Sequence, residues 1–174
     1  MTEAQDLHVE LQILPEWSRI DPVRQAVGLC VEAVFGNEDL RDALGMVCAE
    51  LLENAIKYGK PAPHKVRLVL SNSEQPQHHE VTLSVINAVD EASHHVELLQ
   101  QRIGWIQRFD SPAEAYMAAL TLVYERAEAQ GGEGGLGLVR IAYEGGCRLD
   151  CDCPEQGVMA VHARYTLPRT EVSP

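Results

Sequence analysis

Apolar residues recur at two different intervals along this chain, and the interval sorts it into elements. From His8 to Leu14 every second residue is apolar (Val9, Leu11, Ile13), which predicts a strand. Asp21 before Pro22 predicts an N-cap and a first-turn proline, opening a helix to about Phe35 with Val23, Val27, Cys30, Val31 and Val34 inward. Beyond Gly36-Asn37 the spacing is three and four for a long stretch. Leu40, Leu44, Val47, Leu51, Ala55 and Tyr58 make one face of a helix that ends at Gly59. Alternation returns at Val66, Leu68 and Leu70 and again at Val81, Leu83 and Val85, with a polar hairpin loop expected over Ser71 to His79. Helices are predicted over Glu91 to Ile106 and, behind a capping box at Ser111-Pro112-Ala113-Glu114, on to about Ala129. A glycine loop, Gly131 to Gly135, precedes a short helix from Leu136 to Tyr143. Strands from Cys147 to Cys153 and from Val158 to Leu167 come next, joined by a hairpin loop at Pro154 to Gly157. Hairpins in sequence with helices grouped together indicate an α+β fold. The expected architecture is a two-layer sandwich, with helices on one face of a mixed, mainly antiparallel sheet, and one domain over residues 1–174.

Composition narrows the function. The 174 residues can bury one substantial core. A net charge of −12 argues against a nucleic-acid partner, because phosphate backbones reward clustered cations. No apolar run approaches the ~20 residues that a membrane span needs, and Met1 to Asp6 lacks a signal-peptide pattern, so no membrane association and a cytoplasmic location are expected. Five cysteines, odd in number and scattered, fit reduced thiols. Cys147, Cys151 and Cys153 share strand parity with Leu149 and are read as buried small hydrophobes rather than zinc ligands.

The chemistry concentrates at the end of the long helix. Glu50 and Asn54 are four residues apart and lie in one line beside the apolar stripe, with Lys57 a turn further on. An acid that accepts a proton, an amide oxygen that ligates a hard cation and an ammonium that meets phosphate suit a Mg-nucleotide site. The same spacing also suits a solvated flank with Glu53 and Lys57 as an ion pair. Asn87 shares parity with Val81, Leu83 and Val85 and therefore points into the core layer. Gly134, Gly135 and Gly137 precede a helix, where backbone approaches an anion closely.

Glu50-Leu51-Leu52-Glu53-Asn54-Ala55, followed by Lys57-Tyr58-Gly59, resembles the N-box of the GHKL (Bergerat-fold) ATPases. Gly134-Gly135-Leu136-Gly137-Leu138 resembles that group's second glycine box. The element order is closest to the anti-sigma-factor serine kinases and the histidine-kinase-like ATPase domains. The resemblance implies Glu50 as the catalytic acceptor of a hydroxyl proton and Asn54 as the Mg ligand. It implies Lys57, Gly134, Gly135 and Gly137 as phosphate contacts and Asn87 at the adenine position. At the first glycine box the chain departs: Asn87-Ala88-Val89-Asp90-Glu91-Ala92 has an amide in place of the carboxylate and no glycine. Mg-ATP binding is therefore expected to be weak or absent. Two functions are compatible with these residues. One is a signalling domain that docks a regulator, either a STAS-type antagonist or a sigma factor. The other is an active Mg-ATP-dependent serine/threonine kinase acting on a STAS-type antagonist. A homodimer is left open by both.

Overall fold

The computed structural model describes residues 6–92, 94–130 and 135–168. Five strands, β1 (His8–Ile13), β2 (Val66–Glu74), β3 (His78–Ala88), β4 (Cys147–Glu155) and β5 (Val158–Pro168), form one sheet in the order β1-β2-β3-β5-β4. Every neighbouring pair is antiparallel. Helices α1 (Ile20–Phe35), α2 (Glu38–Tyr58), α3 (His95–Ile106), α4 (Pro112–Gln130) and α5 (Gly137–Tyr143) complete the described elements, with a 3-10 turn at Trp17–Arg19. This is the expected α+β sandwich, with a sheet that is antiparallel throughout.

The core is where the two periods meet. Leu68, Leu70, Leu83 and Val85 from the strands and Leu44, Val47 and Leu51 from α2 are buried in one cluster. Each such side chain contributes about 1.5–3 kcal/mol by leaving water. The opposite sheet face is polar and paired: Arg164 meets Asp150 at 3.1 Å, and Arg67 lies 3.8 Å from Glu10. Helix α2 starts as its sequence directs, with Asn37 Oδ1 accepting from the Leu40 amide at 2.9 Å.

Several sequence expectations shift. Asp21 is not an N-cap: α1 begins at Ile20 after the 3-10 turn, and the Asp21 carboxylate pairs with Arg24 instead. The hairpin loop expected over Ser71 to His79 shrinks to residues 75–77, because backbone pairing continues through Glu74↔His79 without needing apolar side chains. Helix α3 starts at His95 rather than Glu91, because Asp90 Oδ1 accepts from the Ala92 amide at 3.1 Å and holds a local turn. Tyr58 leaves the buried stripe of α2 and packs its exposed ring on His95, with centroids 5.2 Å apart. Of the three strand cysteines only Cys147 is buried; Cys151 is half-buried and Cys153 exposed, past the register shift between Asp152 and Glu155.

Candidate functional site

Two glycines seat α5 on α2. A Cβ on Gly145 would lie 2.5 Å from Val47 Cγ2, and one on Gly137 would lie 2.6 Å from Glu50 Oε2 and 4.0 Å from Asn54 Nδ2. Both ends of the short helix therefore touch the same flank of the long one; a Cβ at Gly145 would also meet the Ile141 backbone, whereas at Gly137 the Glu50 carboxylate would have to turn aside. Glu50, Asn54 and Gly137 are brought together by this crossing.

The carboxylate of Glu50 is held through one oxygen. Oε1 accepts from Arg140 Nη1 at 2.5 Å, while Oε2 faces Gly137. Arg140 is itself anchored along α5, its Nε and Nη2 each donating to Glu144 at 3.1 Å. The Glu50 side chain is only 14% exposed. Burial raises its carboxyl above the usual range, and the Arg140 charge offsets part of that rise. On the other side of the loop Arg102, from α3, donates through Nη2 to the Gly135 carbonyl. Neither arginine was singled out from the sequence. Arg140 sits just after the glycine motif, and that adjacency was the one available signal.

Lys57 is not brought to this cluster. Its Nζ pairs with Glu53 at 3.2 Å and stands 5.6 Å from the centroid of the Trp17 ring. Gly134 lies outside the described residues. Asn87 is buried at 4% exposure, as parity predicts, and lies against Gly59, the C-cap of α2. Its Nδ2 donates to the Ala88 carbonyl at 3.3 Å. Val89, at a position where the resembled motif has its glycines, is buried, and its amide donates to the Gly157 carbonyl at 2.9 Å. A cavity of about 450 Å³ opens elsewhere, lined by Ile106, Phe109, Tyr143, Cys147 and Leu149 among others; Glu50, Asn54 and Asn87 do not line it.

The fit to Mg-ATP differs between the two ends. Asn54 offers one amide oxygen, which suits a Mg ion that takes its other positions from water and phosphate. Arg140 and Arg102 suit phosphate oxygens. The Asn87 end does not fit a base, because packed side chains stand there.

A polar chain on the opposite sheet face was also missed. Ser84 Oγ lies 2.7 Å from His162 Nδ1, and His162 Nε2 lies 3.3 Å from Asp152 Oδ2. It has the composition of a hydrolytic triad, but it sits in mid-sheet, where the neighbouring backbone N–H groups serve the strand ladders rather than a developing oxyanion. Its role is to satisfy polar groups on the uncovered face.

No family model matches this chain, and no curated protein matches it. Among solved structures it is similar to a chain in the crystal structure of the SiaB-SiaC complex from Pseudomonas aeruginosa. That likeness has a TM-score of 0.64 at 21% identity and covers 95% of this chain and 93% of that chain. It extends over nearly the whole of both chains and shows a shared fold.

Proposed function

We propose that this chain is a regulatory signalling domain of the GHKL kind that acts by docking another protein, with a nucleotide site degenerate at its base end. The observation that carries the reading is the packing at that end: Asn87 is buried against Gly59, and Val89 is buried where the resembled motif places glycines. An amide acceptor in place of a carboxylate costs on the order of 1 kcal/mol, or roughly tenfold in affinity. Side chains inside the base pocket cost more. Two further observations support docking as the working activity. The structural neighbour was solved as part of a two-protein complex. Helix α4 presents Met117 and Tyr124, seven residues apart on one face, 62% and 73% exposed. Large exposed apolar and aromatic groups of this kind anchor protein interfaces. The partner class is the regulator expected from the sequence, a STAS-type antagonist or a sigma factor.

The kinase reading keeps one observation in its favour. Glu50, Asn54 and Gly137 adjoin, and burial raises the Glu50 carboxyl above its ordinary value. Calorimetry separates the two. Titration with Mg-ATP is expected to give little or no heat, while a cognate STAS-domain protein or sigma factor binds without nucleotide. Low-micromolar Mg-ATP binding that is lost in Asn54→Ala, together with phosphate transfer to the STAS-domain protein, would put the kinase in place of the docking domain.

A further inference from the structure

We infer that the cavity beside β4 is a binding site for a single-chain anionic amphiphile, with the apolar chain inside and the anionic head on the arginines at its mouth. The inference is independent of the docking reading, and the site lies apart from Glu50 and Asn54, which do not line it.

Four segments form the cavity: the last turn of α3, the loop into α4, the end of α5 and the start of β4. Its volume, about 450 Å³, is within the range of small-molecule sites. The interior is apolar. Ile103, Ile106, Ala142 and Leu149 are buried there, and half-buried Phe109 is held by an edge contact with Trp105, ring centroids 4.8 Å apart. Cys147 adds no charge, because burial pushes its thiol up to about 12. The occupant is a small molecule rather than an added peptide strand. β4 is an edge strand, but its Leu149 carbonyl already accepts from Gln107 Nε2 at 3.0 Å. Its Cys151 amide already donates to Asp150 Oδ1 at 2.9 Å. A strand pairing with this edge would have to displace both.

The mouth carries the charge. Arg148 lines the cavity and is exposed; strand alternation turns it away from Cys147 and Leu149, so its charge stands at the rim and not in the interior. Arg108, also exposed, lies between Gln107 and Phe109, which both line the cavity. Among the described residues these two arginines have no ion pair or side-chain hydrogen bond, whereas Arg24, Arg41, Arg67, Arg140 and Arg164 each meet a carboxylate. Asp110 stands on the same loop, and nearby Glu144 is taken by Arg140, so the rim has two unpaired arginines against one aspartate. In a chain of net charge −12, a cationic rim around an apolar cavity selects an anionic head on an apolar body.

Calorimetry with alkanoates at pH 7, below their micelle concentrations, tests this on the full chain. Decanoate should bind saturably, and each methylene added from octanoate upward should tighten binding about fourfold until the cavity is full. Decanol, which keeps the chain but not the charge, should bind about tenfold more weakly than decanoate. Arg108→Gln together with Arg148→Gln should weaken decanoate to that level and leave decanol unchanged, a split that a merely structural role for the arginines would not produce. Ala113→Trp, which fills the cavity from α4, should abolish binding of both. If Ala113→Trp does not fold, the length series in the unaltered chain decides. Affinity that levels off marks a cavity of fixed size; affinity that keeps rising marks adsorption to a surface and overturns the site. Absence of saturable decanoate binding, unchanged binding in folded Ala113→Trp, or equal affinity for decanoate and decanol also overturns it. Phosphatidylglycerol vesicles distinguish a free amphiphile from a lipid surface: the chain should stay in solution, and sedimentation with the vesicles in place of saturable decanoate binding would overturn the proposal.

Discussion

The last turns of α2 carry both parts of the candidate site, and the two parts are built in opposite ways. Around Glu50 and Asn54 the helix flank meets polar partners: Arg140, the Gly137 backbone and the Glu144 fork behind them. Around Gly59 the same helix closes on a buried amide, Asn87, and on backbone from Ala88. The first end keeps charge near solvent and keeps space by means of glycine. The second has given space to packing.

The largest expected effect tests the packed end. Asn87→Asp restores the carboxylate of the resembled motif, but in a 4% exposed position whose donor contact to the Ala88 carbonyl it destroys. Burial should raise the folded-state pKa of this new carboxyl above its unfolded value. The variant should then be close to normal below about pH 4 and lose stability as pH rises, by about 2–4 kcal/mol at pH 7. Urea melts at pH 4 and pH 7 read the difference. A variant as stable as the parent at pH 7 would show a solvated, ligand-ready base end and erase the contrast.

Gly137→Ala tests the open end. Its Cβ would meet Glu50 Oε2 at 2.6 Å, and the carboxylate is the far end of a side chain that can turn aside. The stability loss, read in a urea melt, should be about 1–2 kcal/mol. A melt unchanged from the parent would show that the carboxylate moves aside at no cost.

Glu50→Gln should change stability less and with a definite pH signature. The Glu50 carboxyl is raised, chiefly by burial, so its ionisation opposes folding as pH rises through the folded pKa. Gln still accepts from Arg140 and carries no charge to bury. At pH 7 the variant should match the parent or exceed it by up to about 1 kcal/mol, and the gain should vanish below pH 4. Thermal melts across that range check the sign. A large loss at pH 7 would mean that the ion pair, rather than the neutral fit, holds α5 to α2.

The smallest effect is expected at Lys57. Its pair with Glu53 is exposed on both sides, so Lys57→Ala should cost under about 0.5 kcal/mol in a urea melt. A loss above about 1 kcal/mol would show that the pair is stronger than its exposure allows.

The sequence by itself determined the local periodicity and the directions that periodicity sets. The cap at Asn37, the apolar stripe from Leu40 to Ala55, the strand parity that buries Asn87, and the shared line of Glu50 and Asn54 are all encoded within a few turns or residues. Spacing fixes direction relative to a helix or strand axis, and that survives folding. Tertiary structure decided which cation serves Glu50. Lys57 is seven residues away and turns to Trp17; Arg140 is ninety residues away and arrives because Gly145 and Gly137 let α5 lie against Val47 and Glu50. It also decided that Asn87 faces Gly59 rather than open space. Both outcomes depend on where two elements cross. Crossing is set by close packing between side chains far apart in the chain, which no interval along the sequence records.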